Sequence, residues 1–421
     1  MIRARYVEIS NIMWPRVQLK VGWGDLAFGL WSSLRKPDRD TVAQRVEARW
    51  SPEGEALTCF SVRSGFDLAL QALAFPPGSE ILFSALNIKG MIRIVEKQAL
   101  VPVPVDLDIE KMAPRLDLIE RAIGPNTKAI VIAHLFGTRL ELDAVIDLAH
   151  RKGLVVFEDC AQAFDGKAYK GHPESDIAMF SFGPLKTATA LGGAILRVRD
   201  AALRSRMRAI QDTYPVQPSG AYAKRVLKFM GLKIVLLPPV FGLLFRLCHM
   251  MGKDYEDPVS DAVRNVASLG SSRKIRKRMP AAMLAVLERR LIRWREGSLD
   301  GFARMGDSLR RKLGDSVVLP ASANRIHNYW VFPILTDDPM RLIRALRSAG
   351  FDGANLPRSK TVSAPPERPE LEPDTAKDAL DHLVVLPCYP GMSEAELERQ
   401  ARIVREVARP HRPPQPALAA E

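Results

Sequence analysis

From Thr58 to about Asp200, short apolar runs alternate with stretches whose apolar residues recur every three to four positions. Glu80–Phe83, Lys128–Ala133 and Leu154–Phe157 are too short for helices and predict buried strands. Gly65–Ala74 and Glu141–Lys152 carry the helical spacing and predict amphipathic helices. Such alternation predicts an α/β domain with a mostly parallel sheet, since parallel neighbours need a crossover between them. Ligands of open sheets sit beyond the carboxyl ends of the strands. The residues just after each run are therefore the candidates for chemistry.

The alternation stops at Leu203 and resumes at Ala281. From there the pattern predicts a long helix to Leu313, a strand over Tyr329–Leu335 and a helix over Met340–Ala349. A strand over Leu383–Leu386 and a last helix over Ser393–Val407 complete a smaller C-terminal α/β domain. The organisation expected is an N-terminal arm (1–57), a large domain (58–280) with a basic, hydrophobic insertion at about 220–278, a small domain (281–409) and a Pro- and Ala-rich tail (410–421) without order. No internal repeat is visible.

Charge sharpens this picture. The 421 residues hold 61 Lys+Arg against 48 Asp+Glu, a net charge of +13. Residues 201–280 contain 15 basic and 5 acidic side chains, so +10 of the excess lies in that one stretch. Within it, Ile234–Phe245 is uncharged, broken by Pro238-Pro239 and flanked by Lys224, Arg225, Lys228, Lys233, Arg246 and Lys253. Twelve residues cannot span a bilayer, and a Pro pair interrupts a helix. Two short amphipathic pieces with basic flanks, over 226–253, suit an anionic membrane surface, with Phe241, Leu244 and Phe245 as the expected apolar contacts. The plainer alternative is a helical hairpin in a dimer interface. Nucleic acid is disfavoured, because Arg273–Arg278 accompanies no binding module. Cys59, Cys160, Cys248 and Cys388 form no CxxC pair, which argues against a disulfide framework or a structural metal site. With no signal-peptide core at the start, the expectation is a cytoplasmic chain able to attach to the inner face of the membrane.

Three local patterns fall at predicted strand ends: Val156–Ala163 (VFEDCAQA), Met179–Lys186 (MFSFGPLK) followed by Gly192-Gly193, and Arg63–Asp67 (RSGFD), which opens a helix. With Ala129–Gly137 (AIVIAHLFG) and Leu386–Gly391 (LPCYPG), their order and spacing resemble the DegT/DnrJ/EryC1/StrS aminotransferases, pyridoxal-phosphate enzymes of fold type I known for making amino sugars on nucleotide sugars. The resemblance runs from about Thr58 to Val407.

It implies pyridoxal 5'-phosphate as cofactor, a homodimer, and transfer of an amino group from an amino acid, by family habit glutamate, to an aldehyde or ketone on a sugar nucleotide or a lipid. Lys186 would supply the amine that condenses with the cofactor aldehyde and shuttles the proton. Asp159 would keep the pyridine nitrogen protonated. Ala161 would pack on the ring and Gln162 would bond its hydroxyl. Ser181, with Ser64 and Gly65 at a helix start, would hold the phosphate, since free N–H groups and the dipole there attract anions. Phe66 and Ile88 occupy cofactor-binding positions where the family has a hydroxyl residue and a stacking aromatic. The nucleotide-sugar substrate is open on that account, as are two other classes: a regulatory protein that keeps the fold, and a membrane scaffold. The lysine itself argues against the family's dehydratase branch.

Each residue also has a plainer reading. Lys186 alone would be a solvated surface lysine, Asp159 a strand terminator and Ser64 a helix N-cap. His134 is as well explained as a satisfied buried histidine.

Overall fold

The computed structural model describes residues 12–16, 18–35, 37–166, 169–251, 272–295, 297–356 and 359–415. Seven strands make the central sheet: β1 (Ala56–Cys59), β2 (Glu80–Ser84), β3 (Val101–Val105), β4 (Thr127–Ala133), β5 (Val155–Asp159), β6 (Ile177–Ser181) and β7 (Ala194–Val198). Their order is β1-β7-β6-β5-β4-β2-β3, parallel from β6 to β3, with β7 antiparallel to both its neighbours. The order reverses between β2 and β4, the place where open sheets leave a crevice beyond their carboxyl ends.

The predicted periodicities hold with shifted ends. The helix expected over Gly65–Ala74 is α3 (Val62–Leu73), below α1 (Trp23–Arg35) and α2 (Arg39–Trp50) in chain order. It starts earlier because Ser61 caps it, its side chain accepting from the Ser64 N–H. Next come α4 (Lys89–Lys97), α5 (Leu116–Ala122), α6 (Asp143–Arg151) and α7 (Ala201–Asp212). The stretch read as an arm instead adds to the main core: Leu26, Val42, Val46 and Trp50 are buried together with Phe180, Phe182 and Met283. Trp50 meets Phe180 and Phe182 edge-on at ring distances of 5.0 and 5.9 Å.

The insertion forms α8 (Ser219–Val235) and α9 (Pro238–Met250), bent by 86° at the Pro pair as the sequence predicts. Residues 252–271 of that insertion lie outside the described part, as does the end of the tail, 416–421. Phe241 is a correction to the expected surface face. It is buried against Met13 and Cys248, with Leu244 and Phe245 half-buried beside it.

The single long helix expected from Ala281 to Leu313 is two, α10 (Ala281–Ile292) and α11 (Asp300–Leu313). Gly297, at φ +75°, sits in the turn between them, a conformation that suits glycine. The chain continues with β8 (Phe332–Leu335), α12 (Pro339–Ser348), α13 (Asp374–Asp381), β9 (Leu383–Leu386) and α14 (Glu394–Val407), β8 pairing antiparallel with β9. β8 begins three residues later than predicted because Tyr329 has φ 45°, which no strand accommodates. Part of the expected loose tail is docked. Pro410 bridges to Thr336, Thr375 Oγ1 donates to the Pro414 carbonyl at 2.7 Å, and His411 lies between Asp337 (2.8 Å) and Asp378 (2.6 Å).

Candidate active site

Strand register gathers the site. Asp159, last in β5, pairs with Ala133 of β4 and Met179 of β6, and Ser181 ends β6 two residues later. Lys186 follows on a loop that folds back, with Ala190 and Gly192 N–H groups both donating to the Phe182 carbonyl at 3.0 Å. The Gly193 N–H then donates to Phe60, one residue before the Ser61 cap, so the start of α3 borders the same loop.

Lys186 is half-buried. Burial brings its amine down to about 8 from 10.5, and the charge of Asp159 pulls the other way. Burial raises the carboxyl of Asp159, offset by the Ala161 N–H that donates to Oδ1 at 2.9 Å and by the charge of Lys186. A lysine with a usable free amine and a carboxylate lie within electrostatic reach at the sheet's carboxyl edge. That is the pairing an aldehyde cofactor with a basic ring nitrogen requires.

The remaining expected residues divide. Ala161 is half-buried beside Asp159. Gln162 Oε1 accepts the Phe136 N–H at 2.7 Å, which spends the oxygen and leaves the NH2 to donate. Ser181 Oγ accepts only a long bond from the Gly183 N–H, at 3.4 Å, so its hydroxyl proton is available for an anion. Ser64 is different. Its hydroxyl donates to the Ile275 carbonyl at 2.8 Å, its N–H is taken by Ser61, and the Gly65 N–H bonds the Ser61 carbonyl. In this conformation Ser64 and Gly65 secure the helix start rather than presenting donors. Gly65 also lies against Leu196, where a Cβ would come within 2.5 Å. The Phe66 side chain is corrected outright: it is fully buried, edge-on to Phe83 and Phe157 at 6.1 and 5.2 Å, and belongs to the core. Ile88 is 41% exposed on the short strand Leu86–Ile88, which pairs with Ser359–Thr361 of the small domain.

Sequence reasoning missed Trp330. The Lys186 Nζ lies 4.2 Å from its ring centre, and its Nε1 donates to the Leu185 carbonyl at 2.9 Å. The adjacent aromatics Tyr329-Trp330 just before a small-domain strand were the available signal. Gly137 permits this approach, since a Cβ there would lie 2.1 Å from Asn328 Oδ1 and 2.6 Å from the Trp330 nitrogen. Three non-glycine residues in the left-handed region surround the site: Phe136, Leu191 and Tyr329, at φ 59°, 60° and 45°. Strain of this kind persists only where the surroundings impose it.

Glu158, beside Asp159, was also missed as a residue in its own right. It is fully buried, and Oε1 receives His134 Nε2 (2.8 Å), Cys160 Sγ (3.1 Å) and the Tyr169 hydroxyl. Oε2 receives the His172 N–H and the Ser175 hydroxyl, each at 2.7 Å. Burial opposes its charge, but His134, Tyr169 and Ser175 outweigh it and hold the carboxyl well below the usual range. His134 Nδ1 accepts the Leu140 N–H at 3.1 Å, which makes Nε2 the donor to Glu158. The plain reading of His134 is thus the observed one. Although His134, Glu158 and Cys160 have metal-ligand chemistry, these hydrogen bonds already engage their ligand atoms.

A cleft of about 380 Å³ opens among Asp307, Arg310, Asn324, Arg325 and Tyr329, and Lys186 does not line it.

The model of the DegT/DnrJ/EryC1/StrS aminotransferase family matches residues 43–407, which takes in most of α2. A UDP-4-amino-4-deoxy-L-arabinose–oxoglutarate aminotransferase of Shewanella sediminis is 33% identical over 158 residues, 37% of this chain and 40% of the relative. The erythromycin biosynthesis sensory transduction protein EryC1 of Saccharopolyspora erythraea is 37% identical over 178 residues, 40% of this chain and 48% of that one. The matches therefore span less than half of these curated relatives. Among solved structures, PseC of Helicobacter pylori, an aminotransferase of pseudoaminic acid biosynthesis, superposes with a TM-score of 0.66 at 14% identity over 94% of this chain and 98% of its own. The sugar aminotransferase CalS13 of Micromonospora echinospora gives 0.64 at 19% over 94% and 100%. Both share the fold.

Proposed function

The chain belongs to the DegT/DnrJ/EryC1/StrS aminotransferase family, whose aminotransferases depend on pyridoxal phosphate, and from that premise we propose that it moves an amino group from glutamate to a carbonyl acceptor. The acceptor is an aldehyde or ketone carried on a sugar nucleotide or a lipid, and the working form is a homodimer at the inner face of the membrane. One observation carries the reading: a half-buried lysine amine lowered to about 8 sits at the sheet's carboxyl edge under the charge of Asp159.

When bound, pyridoxal phosphate supplies an aldehyde that condenses with amines and a ring that takes up the electron pair left by a departing proton. Lys186 offers the amine for that condensation. As a free amine it would take the proton from the substrate carbon as a general base and return it as an acid. An amine near 8 does both at neutral pH, whereas an ordinary lysine stays protonated. Asp159, oriented by the Ala161 N–H, would hold a proton at the ring nitrogen. The Gln162 NH2 is positioned to bind the ring hydroxyl, and Ser181 to donate to the phosphate. The Trp330 ring lies against the amine, its centre 4.2 Å from the nitrogen, and favours the charged form. Lys186→Ala tests the reading: production of 2-oxoglutarate from glutamate should fall about 10³-fold or more, with the fold intact by circular dichroism. Turnover near the wild-type rate would remove Lys186 from the reaction.

A further inference from the structure

We infer that the outer faces of α1, α8 and α9 form a seat for an anionic phospholipid bilayer. This deepens the membrane part of the proposed function by assigning its surface and lipid class, and rests on that part alone, not on the amino-transfer chemistry. The three helices are continuous. Gly29 of α1 lets Val226 and Tyr222 of α8 come within 3.2 and 3.8 Å of where its Cβ would be, and α8 turns directly into α9.

Each helix keeps large apolar residues exposed at helical spacing. On α1 these are Trp23, Trp31 and Leu34, the last 82% exposed; on α8, Leu227 and Ile234; on α9, Val240, Leu243, Leu247 and Met250. Their buried faces are already satisfied, by Tyr222, Val226, Phe229 and Leu232 on α8 and by Phe241 and Cys248 on α9. The exposed stripes are therefore a second apolar face, which a protein alone in water rarely keeps. No single described helix is long and apolar enough to cross a membrane, and the 86° bend lays the pair out as an elbow instead. A surface-lying arrangement fits that shape.

Charge selects the occupant. Residues 219–251 carry no carboxylate and five cations, of which Arg225 turns inward to the Leu191 carbonyl and the others are Lys224, Lys228, Lys233 and Arg246. Lys233 lies 6.0 Å from the Trp23 ring and Arg35 4.9 Å from the Trp31 ring, so cations border the tryptophans. Tryptophan flanked by lysine and arginine suits the headgroup layer, where anionic lipid attracts each nearby cation. A second copy of the same face would bring cation against cation across a two-fold axis, and lysine is depleted in subunit interfaces.

The test is co-sedimentation of the full-length holoprotein with phosphatidylglycerol/phosphatidylcholine vesicles and with phosphatidylcholine alone. Binding should require the anionic lipid and weaken with added salt. The exposed-face variant Leu243→Gln/Leu247→Gln/Met250→Gln should lower partitioning about tenfold or more while sedimentation velocity and cofactor absorbance stay unchanged. A second variant, Trp31→Gln, should weaken binding through α1 alone. Absence of wild-type binding, binding indifferent to these substitutions, or a changed subunit stoichiometry in the triple variant would each overturn the inference. The glutamate half-reaction, measured without vesicles, reports separately on the chemistry.

Discussion

The behaviour of Lys186 turns on its burial and on two neighbours. Aldehyde capture by the apoprotein should climb with pH and level off above about 8, where the amine is free. Asp159→Asn removes the charge that favours the ammonium, so this midpoint should move to lower pH, with turnover down on the order of 10²–10³-fold. Trp330→Leu removes the ring that also favours the cation and should move the midpoint the same way with a smaller loss of turnover. Titration of the capture rate against pH checks all three proteins. The linkage to stability has a definite sign. Because the folded value lies below the ordinary 10.5, the unfolded chain binds more protons between the two values. The apoprotein should therefore gain stability from this residue as pH rises from about 8 toward 10.5.

At the scale of elements, α3 depends on a cap that the phosphate-loop resemblance obscured. Ser61→Ala deletes the acceptor for the Ser64 N–H and should cost about 1 kcal/mol in urea unfolding. Much of the framework was legible. Short apolar runs located β2, β4, β5 and β9, and period-3.6 patterns α6 and α14, to within a few residues, because burial on both faces or on one dictates those patterns. That Asp159, Ser181 and Lys186 would lie near one another was legible from their motifs, because Asp159 and Ser181 end neighbouring strands and Lys186 sits in the loop that follows. The remainder depended on contacts that leave no local trace. The break between α10 and α11 hangs on one turn at Gly297, and the late start of β8 on the backbone of Tyr329. Phe241 shares its hydrophobicity with surface residues of the same helix, and only packing shows it turned inward, while Phe66 lies on a helix buried on nearly every side. Trp330 reaches Lys186 across a domain boundary, which periodicity within one segment does not encode.

At the scale of the whole molecule, the segment Asn328–Trp330 closes on the loop after β4 at Gly137, φ 90°. Gly137→Ala both strains that backbone and drives a methyl into Asn328 and Trp330. It should cost about 2 kcal/mol or more and alter tryptophan fluorescence, with turnover falling as Trp330 leaves Lys186. The docked tail responds to pH through His411. Burial lowers its affinity for a proton, but Asp378 and Asp337 outweigh that and raise it above the ordinary 6.5. The clasp is therefore at full strength below about 6.5 and is lost as pH rises through the raised value, so proteolysis after Asp381 should quicken in alkali, and His411→Ala should abolish that dependence.

The Tyr222 hydroxyl donates to the Ala190 carbonyl at 2.9 Å and Arg225 donates to Leu191 at 3.1 Å, both within the loop that carries Lys186. One helix of 17 residues, roughly 25 Å long, thus grips the reactive loop near its start and turns its apolar stripe outward toward its end. The two ends form a thermodynamic cycle. Any factor by which vesicles tighten retention of the cofactor must equal the factor by which the cofactor tightens attachment to vesicles. Tyr222→Phe loosens the grip without touching either ligand, and should bring that shared factor closer to one.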